Sequence, residues 1–123
     1  MDIQNLVFHA PRVVGEWWTF DVDYSAVFTP AEVSQRNNYA DNIALMEDDD
    51  VDDDTVVPFG VMQGWQVTER QYDWTWTIRV HQDDLDTELG DEEIYAQLRL
   101  RKTYPPPMSV DLVRNTGIRR LAP

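Results

Sequence analysis

Apolar residues recur at every second position over three long stretches of this chain. Between positions 18 and 28 the even residues are Trp18, Phe20, Val22, Tyr24, Ala26 and Phe28, and the odd ones are Thr19, Asp21, Asp23, Ser25 and Val27. Tyr72, Trp74, Trp76, Ile78 and Val80 alternate in the same way with Asp73, Thr75, Thr77, Arg79 and His81. A third stretch sets Ile94, Ala96, Leu98 and Leu100 against Tyr95, Gln97, Arg99 and Arg101. Successive side chains of a strand point to opposite faces, so this spacing gathers each apolar set on one side, whereas a helix would scatter it. Each stretch is predicted to be a half-buried strand. Trp74 and Trp76 share a face with Ile78 and are expected in the core. Trp17 and Trp18 must point to opposite faces, which places Trp17 outside.

Shorter strands are predicted at 43–46, 55–59, 64–68, 110–113 and 118–121, with a turn at Asn115-Thr116-Gly117. Thr29-Pro30-Ala31-Glu32 has the spacing of a capping box, with Thr29 as N-cap and Pro30 at the first helical position. One short helical turn is expected there, and a second at 83–88, ended by Gly90. Seven or eight strands without a long helical period predict an all-β fold, an antiparallel two-sheet sandwich of immunoglobulin-like or C2-like type. Tyr104-Pro105-Pro106-Pro107-Met108 interrupts the pattern, because successive prolines offer no backbone donors. It is read as a stiff, polyproline-like connection able to meet an aromatic groove on a partner.

At 123 residues the chain is expected to form a single domain, 1–123, with enough core to fold unaided. Its 23 acidic residues outweigh 10 basic ones, for a net charge of −13. That balance would repel a phosphate backbone and argues against nucleic acid as a ligand. The charge is unevenly spread: residues 41–54 and 83–93 are rich in acids and hold no base, while 99–123 are rich in arginine. Such a dipole fits either internal neutralisation or a surface built for a basic partner or a cation. No signal peptide and no membrane-spanning apolar run is visible, so the expectation is a soluble protein, cytoplasmic or exported without a recognisable signal.

Catalytic constellations are hard to find. Cysteine is absent, which excludes thiolate chemistry, disulfides and cysteine-based metal sites. Ser25, Ser34 and Ser109 stand in no nucleophile motif, and His9 and His81 show no ligand spacing. With so many carboxylates, any acid–base pair could be proposed, so none is singled out. An enzyme is not expected.

The acidic run that begins at Glu47 carries the most chemical potential. Crowded carboxylates repel one another until a hard cation relieves them, and calcium takes six to eight oxygens. No register of the run has the glycine and closing glutamate of an EF-hand. The apolar 43–46 strand, then Glu47-x-Asp49, then Asp53-Asp54-x-Val56 resembles the calcium loop of C2-type β-sandwich domains. The likeness covers about a dozen residues. It departs from the family in having Glu47 where Asp is usual, and Val57 where glycine commonly stands. The resemblance implies calcium ligands at Glu47, Asp49, Asp53 and Asp54, with acidic lipid bound through the calcium.

Two functional expectations follow. The first is a non-enzymatic interaction or structural module that works through protein–protein contacts or self-association, as a subunit of a larger assembly. Its expected contact residues are Trp17, Tyr104, Pro105, Pro106, Pro107, Arg119 and Arg120. The alternative is a calcium-dependent binder of lipid or carbohydrate using the acidic loop 47–54; apart from that calcium, no cofactor is expected.

Overall fold

A computed structural model describes residues 1–49, 52–85 and 92–121. Along the described residues the elements are β1 (Asp2–Phe8), β2 (Arg12–Val14), β3 (Trp17–Val27), α1 (Pro30–Gln35), β4 (Asn38–Glu47), β5 (Asp54–Val57), β6 (Gln63–Gln66), β7 (Gln71–His81), α2 (Gln82–Leu85), β8 (Glu92–Tyr104), β9 (Leu112–Asn115) and β10 (Arg119–Leu121). They form two antiparallel sheets, and the fold is the all-β sandwich expected. In the first sheet β3 is central, with β1 and β2 along one side and β7 along the other. In the second, β4 and β8 lie side by side; β5 and β6 flank β4, and β9 and β10 flank β8. No helix of the described residues is long and apolar enough to cross a membrane.

The alternating residues meet between the sheets. Phe20, Val22, Tyr24 and Ala26 of β3 and Ile78 and Val80 of β7 are buried against Tyr39, Ile43 and Leu45 of β4 and Ile94, Leu98 and Leu100 of β8. All three long strands stand where the period-two pattern puts them, and β8 continues beyond it to Tyr104.

The N-terminal strands were not expected, and the reason is local. Asn5 adopts a left-handed φ of 53°, and the register of β1 on β3 breaks between Gln4 and Val7. This bulge shifts the buried side chains from Ile3 to Phe8, out of simple alternation. β2 turns into β3 through Gly15 and Glu16; the φ of 61° at Gly15 is one that glycine adopts without a Cβ clash. β4 also starts earlier than the predicted 43–46. Its inward positions are Tyr39, Asp41, Ile43, Leu45 and Glu47, and the acids at 41 and 47 disguise the pattern.

The capping box forms as its spacing predicts. Glu32 N–H donates to Thr29 Oγ1 at 3.2 Å, Thr29 N–H donates to Glu32 Oε1 at 2.9 Å, and Arg36 ends the helix in the left-handed region. The second helix, α2, covers the first part of the expected turn; Gly90 lies outside the described residues.

The proline segment connects two strands, β8 and β9, as its sequence is read. Lys102 N–H donates to Ser109 Oγ at 2.8 Å and Ser109 N–H donates to the Lys102 carbonyl at 3.2 Å, so the two ends meet. The exposed prolines ride on a closed loop, with cis bonds at Tyr104–Pro105 and Pro106–Pro107.

Glu32 gathers three donors: the N-terminal ammonium at 2.6 Å, Thr29 N–H, and the Tyr39 hydroxyl at 2.5 Å. Burial opposes the charge, but these donors outweigh it and hold the carboxyl at about 2, while burial and the bond to Glu32 push Tyr39 up to about 12. A depressed folded-state pKa gives stability that is present above the ordinary glutamate value and lost as pH falls towards about 2. Glu32→Gln is therefore expected to flatten the acid limb of a thermal-stability profile, and an unchanged limb would contradict the assignment.

Candidate functional site

Asp41 lies on the inward face of β4, only 4% exposed. It is reached from the opposite sheet by two donors, the Tyr24 hydroxyl of β3 and the Trp76 indole N–H of β7, the latter at 3.2 Å; both bonds fall on Oδ2. Among the described residues no cation forms an ion pair with it. Burial pushes its pKa above the ordinary aspartate value, and the two donors offset only part of that. Burial and the charge of Asp41 likewise push the Tyr24 hydroxyl up. The carboxylate is thus a polar rivet between sheets, held by neutral donors.

Over this rivet lies a groove of about 350 Å³, lined by Asp41, Gln63, Gly64, Trp65, Trp74, Thr75 and Trp76. It opens between β6 and β7. Trp65 of β6 meets Trp74 of β7 with ring centroids 5.4 Å apart and planes inclined at 64°, and Tyr72 stacks on Trp74 at 5.7 Å. Gly64 lies on this lining, and a Cβ there would make an ordinary contact with the Tyr39 carbonyl at 3.6 Å. The Trp65 indole N–H is buried without an acceptor. Trp74 points to the core side as expected, yet it is 37% exposed. It sits on a strand whose far side pairs with no strand among the described residues, and the short β6 covers it only in part. Alternation reports which face a residue takes, and cannot report how far the opposite sheet extends.

β7 pairs with β3 in unbroken register, from Trp17 opposite His81 to Val27 opposite Gln71. Its other edge pairs with no strand among the described residues. The outer face of this sheet is a polar ladder. Thr77 Oγ1 donates to Asp21 at 2.8 Å, Thr75 Oγ1 to Asp23 at 2.6 Å, and Ser25 Oγ to Asp73 at 2.7 Å. The bond from Thr75, reinforced by His9, holds Asp23 below the usual aspartate range, and bonds from Gln71 and Ser25 do the same for Asp73.

The residues expected to bind calcium lie at and beyond the end of β4. Asp53 accepts the Tyr95 hydroxyl on Oδ2 at 2.5 Å and the Asp49 N–H on Oδ1 at 3.1 Å. These bonds lower the Asp53 pKa, Tyr95 being the larger cause; burial and Asp53 push Tyr95 up to about 12. Glu47 is 5% exposed and stands opposite Asp54 in the β4–β5 register. Both line an open cavity of about 430 Å³ with Thr55, Val56, Asp83 and Asp84, so the first acid-rich segment meets the start of the second. Among the described residues no three His, Asp or Glu side chains are grouped closely enough to hold a metal ion.

The expected contact residues are dispersed. Trp17 is 40% exposed, with the Arg79 guanidinium 4.1 Å above its ring and His81 edge-on at 5.1 Å. His81 is half-buried, and its Nε2 lies 2.9 Å from Glu16. Tyr104 and Pro105 to Pro107 are exposed on the closed loop, far along the other sheet. Arg119 donates to the Phe8 carbonyl at 3.0 Å and ties β10 to β1, while Arg120 is exposed. Much of the basic C-terminal quarter is used inside the domain: Arg101 pairs with Asp111 at 2.8 Å, and Arg99 bonds Asn42 and stacks on Phe59. The Asp41 groove was missed by sequence reasoning. An aspartate interrupting the alternation Tyr39-x-Asp41-x-Ile43-x-Leu45 was the available signal.

Comparison with protein-family models, curated proteins and solved structures finds no match to this chain.

The raised Asp41 pKa has a defined sign. The folded chain keeps a proton that the unfolded chain has released, so stability falls as pH rises from the ordinary aspartate value through the raised one. Asn keeps an oxygen for Tyr24 and Trp76 without the charge. Asp41→Asn is expected to raise the melting temperature by about 4 °C at about pH 8, roughly 1 kcal/mol, with little change at about pH 3. Equal effects at both pH values would contradict an ionised Asp41.

Proposed function

We propose that this domain is a non-enzymatic structural module that self-associates through the free edge of β7, as one subunit of a larger assembly. The observation that carries the reading is the unpaired edge itself: eleven residues long, without proline and without a break in register on β3. Natural edges are usually shortened, bulged or covered, because exposed N–H and C=O groups invite another strand. This one is none of these among the described residues.

The β7 sequence also complements itself. Two copies paired antiparallel about Trp76 would set Asp73 opposite Arg79, Trp74 opposite Ile78 and Thr75 opposite Thr77, once on each side of a twofold axis. Opposite charges and like apolar groups then coincide. Light scattering is expected to show a concentration-dependent dimer. Arg79→Asp, which places like charges opposite each other twice, should weaken it about tenfold, since each cross-strand pair contributes up to about 1 kcal/mol. Adding Asp73→Arg restores opposite charges and should restore the dimer. A strict monomer at the highest soluble concentration overturns the proposal.

The acidic cavity favours a second reading, a calcium-dependent binder of lipid or carbohydrate. What supports it is that Glu47 and Asp54 share a cavity with Asp83 and Asp84. This reading predicts a larger rise in melting temperature with millimolar calcium than with magnesium. An equal rise with both ions would mean charge screening alone.

A further inference from the structure

We infer that the groove between β6 and β7 is a binding site for a small alkylated ammonium ion, with Asp41 as its counter-charge and Trp65, Trp74 and Trp76 as its aromatic walls. The groove adjoins the β7 edge, since Trp74, Thr75 and Trp76 of β7 line it, but its lining comes from a single copy of the chain.

Charge is the first argument. Asp41 is almost fully buried, lines the groove, and has no cationic partner among the described residues. A buried carboxylate balanced only by neutral donors is costly when ionised, and a bound cation would remove that cost. Three indoles surround the same space, and indole offers the strongest aromatic face to a cation. The inclined planes of Trp65 and Trp74 make a corner in which one rounded cation can touch both.

The donor set chooses among cations. A guanidinium pairs best with a carboxylate through a planar fork that uses both oxygens. Asp41 Oδ2 already accepts two bonds, from Tyr24 and Trp76, so that fork is blocked. A primary ammonium needs three acceptors. Among the described residues the acceptor side chains lining the groove are Asp41, Gln63 and Thr75; two bonds already fall on Asp41 Oδ2, and the Thr75 hydroxyl is engaged with Asp23. A fully alkylated ammonium needs no acceptor and loses little hydration on entering an aromatic corner. The volume of about 350 Å³ lies at the lower end of the range for small-molecule sites, roughly 300–1,000 Å³, which favours a free small cation as the occupant.

Choline chloride is the probe. Titration followed by tryptophan fluorescence and by the Trp76 indole N–H resonance is expected to saturate in the millimolar range and to tighten as pH rises through the Asp41 titration. The uncharged isostere, with carbon in place of the ammonium nitrogen, should bind at least about tenfold more weakly, a difference of 1.4 kcal/mol. Asp41→Asn should lose the same factor. Trp74→Ala, at a position 37% exposed, should weaken binding while near-ultraviolet dichroism reports an intact core. Equal binding of choline and its isostere, or full binding by Asp41→Asn, overturns the inference. A trimethyl-lysine peptide that binds far more tightly than choline would move the site to a modified protein partner and overturn the assignment of a free cation. Repeating the titration on Arg79→Asp keeps this result independent of dimer formation.

Discussion

One buried carboxylate joins the two sheets. Asp41 projects from β4 into the interior, where Tyr24 from β3 and Trp76 from β7 close on the same oxygen. Apolar packing alone would let two sheets slide, because burial is non-directional and rewards area rather than position. Hydrogen bonds from two different strands to one atom remove that freedom. The register of β3 on β7 carries both donors together, since Tyr24 stands opposite Trp74 and Val22 opposite Trp76. One of the two strands that donate to Asp41, β7, also carries the edge that pairs with no strand among the described residues, so the rivet fixes the position of that edge over the second sheet.

Alternation in the sequence made the long strands legible because β3, β7 and β8 each turn an apolar set inward and a largely polar set outward. Where an element departs from that arrangement, the pattern fades. β1 carries a bulge at Asn5 that reverses which residues face inward. β4 has both faces covered, with Ala40, Asn42 and Ala44 buried on its outer side, so only its apolar centre stood out. The Thr29 capping box was readable because it depends on neighbours in sequence. By contrast, the meeting of Trp65 with Trp74 depends on the pairing of β6 with β4, a long-range fact that no local spacing encodes.

The same distinction applies to charge. Two acid-rich segments and an arginine-rich tail are plain in the sequence, but their destinations are not. Asp41, counted with the first acidic segment, is a core residue, and Glu47 is buried at the end of its strand. Arg99, Arg101 and Arg119 turn towards their own domain, where Asp111, Phe59 and the Phe8 carbonyl hold them. What remains at the surface is a junction of the two acidic segments beside Glu47, Asp54, Asp83 and Asp84.

The ladder on the outer face of β3 and β7 has a consequence for the conditions under which the domain can hold its shape. Asp21, Asp23 and Asp73 each take a hydroxyl from the neighbouring strand. Hydroxyls carry no net charge, so mobile ions that dissolve surface ion pairs have little to screen in these contacts. The acidic character of this face is therefore compatible with dilute buffer and concentrated brine alike: the sheet keeps its cross-strand bonds in either, and only the repulsion among the carboxylates changes with the solvent.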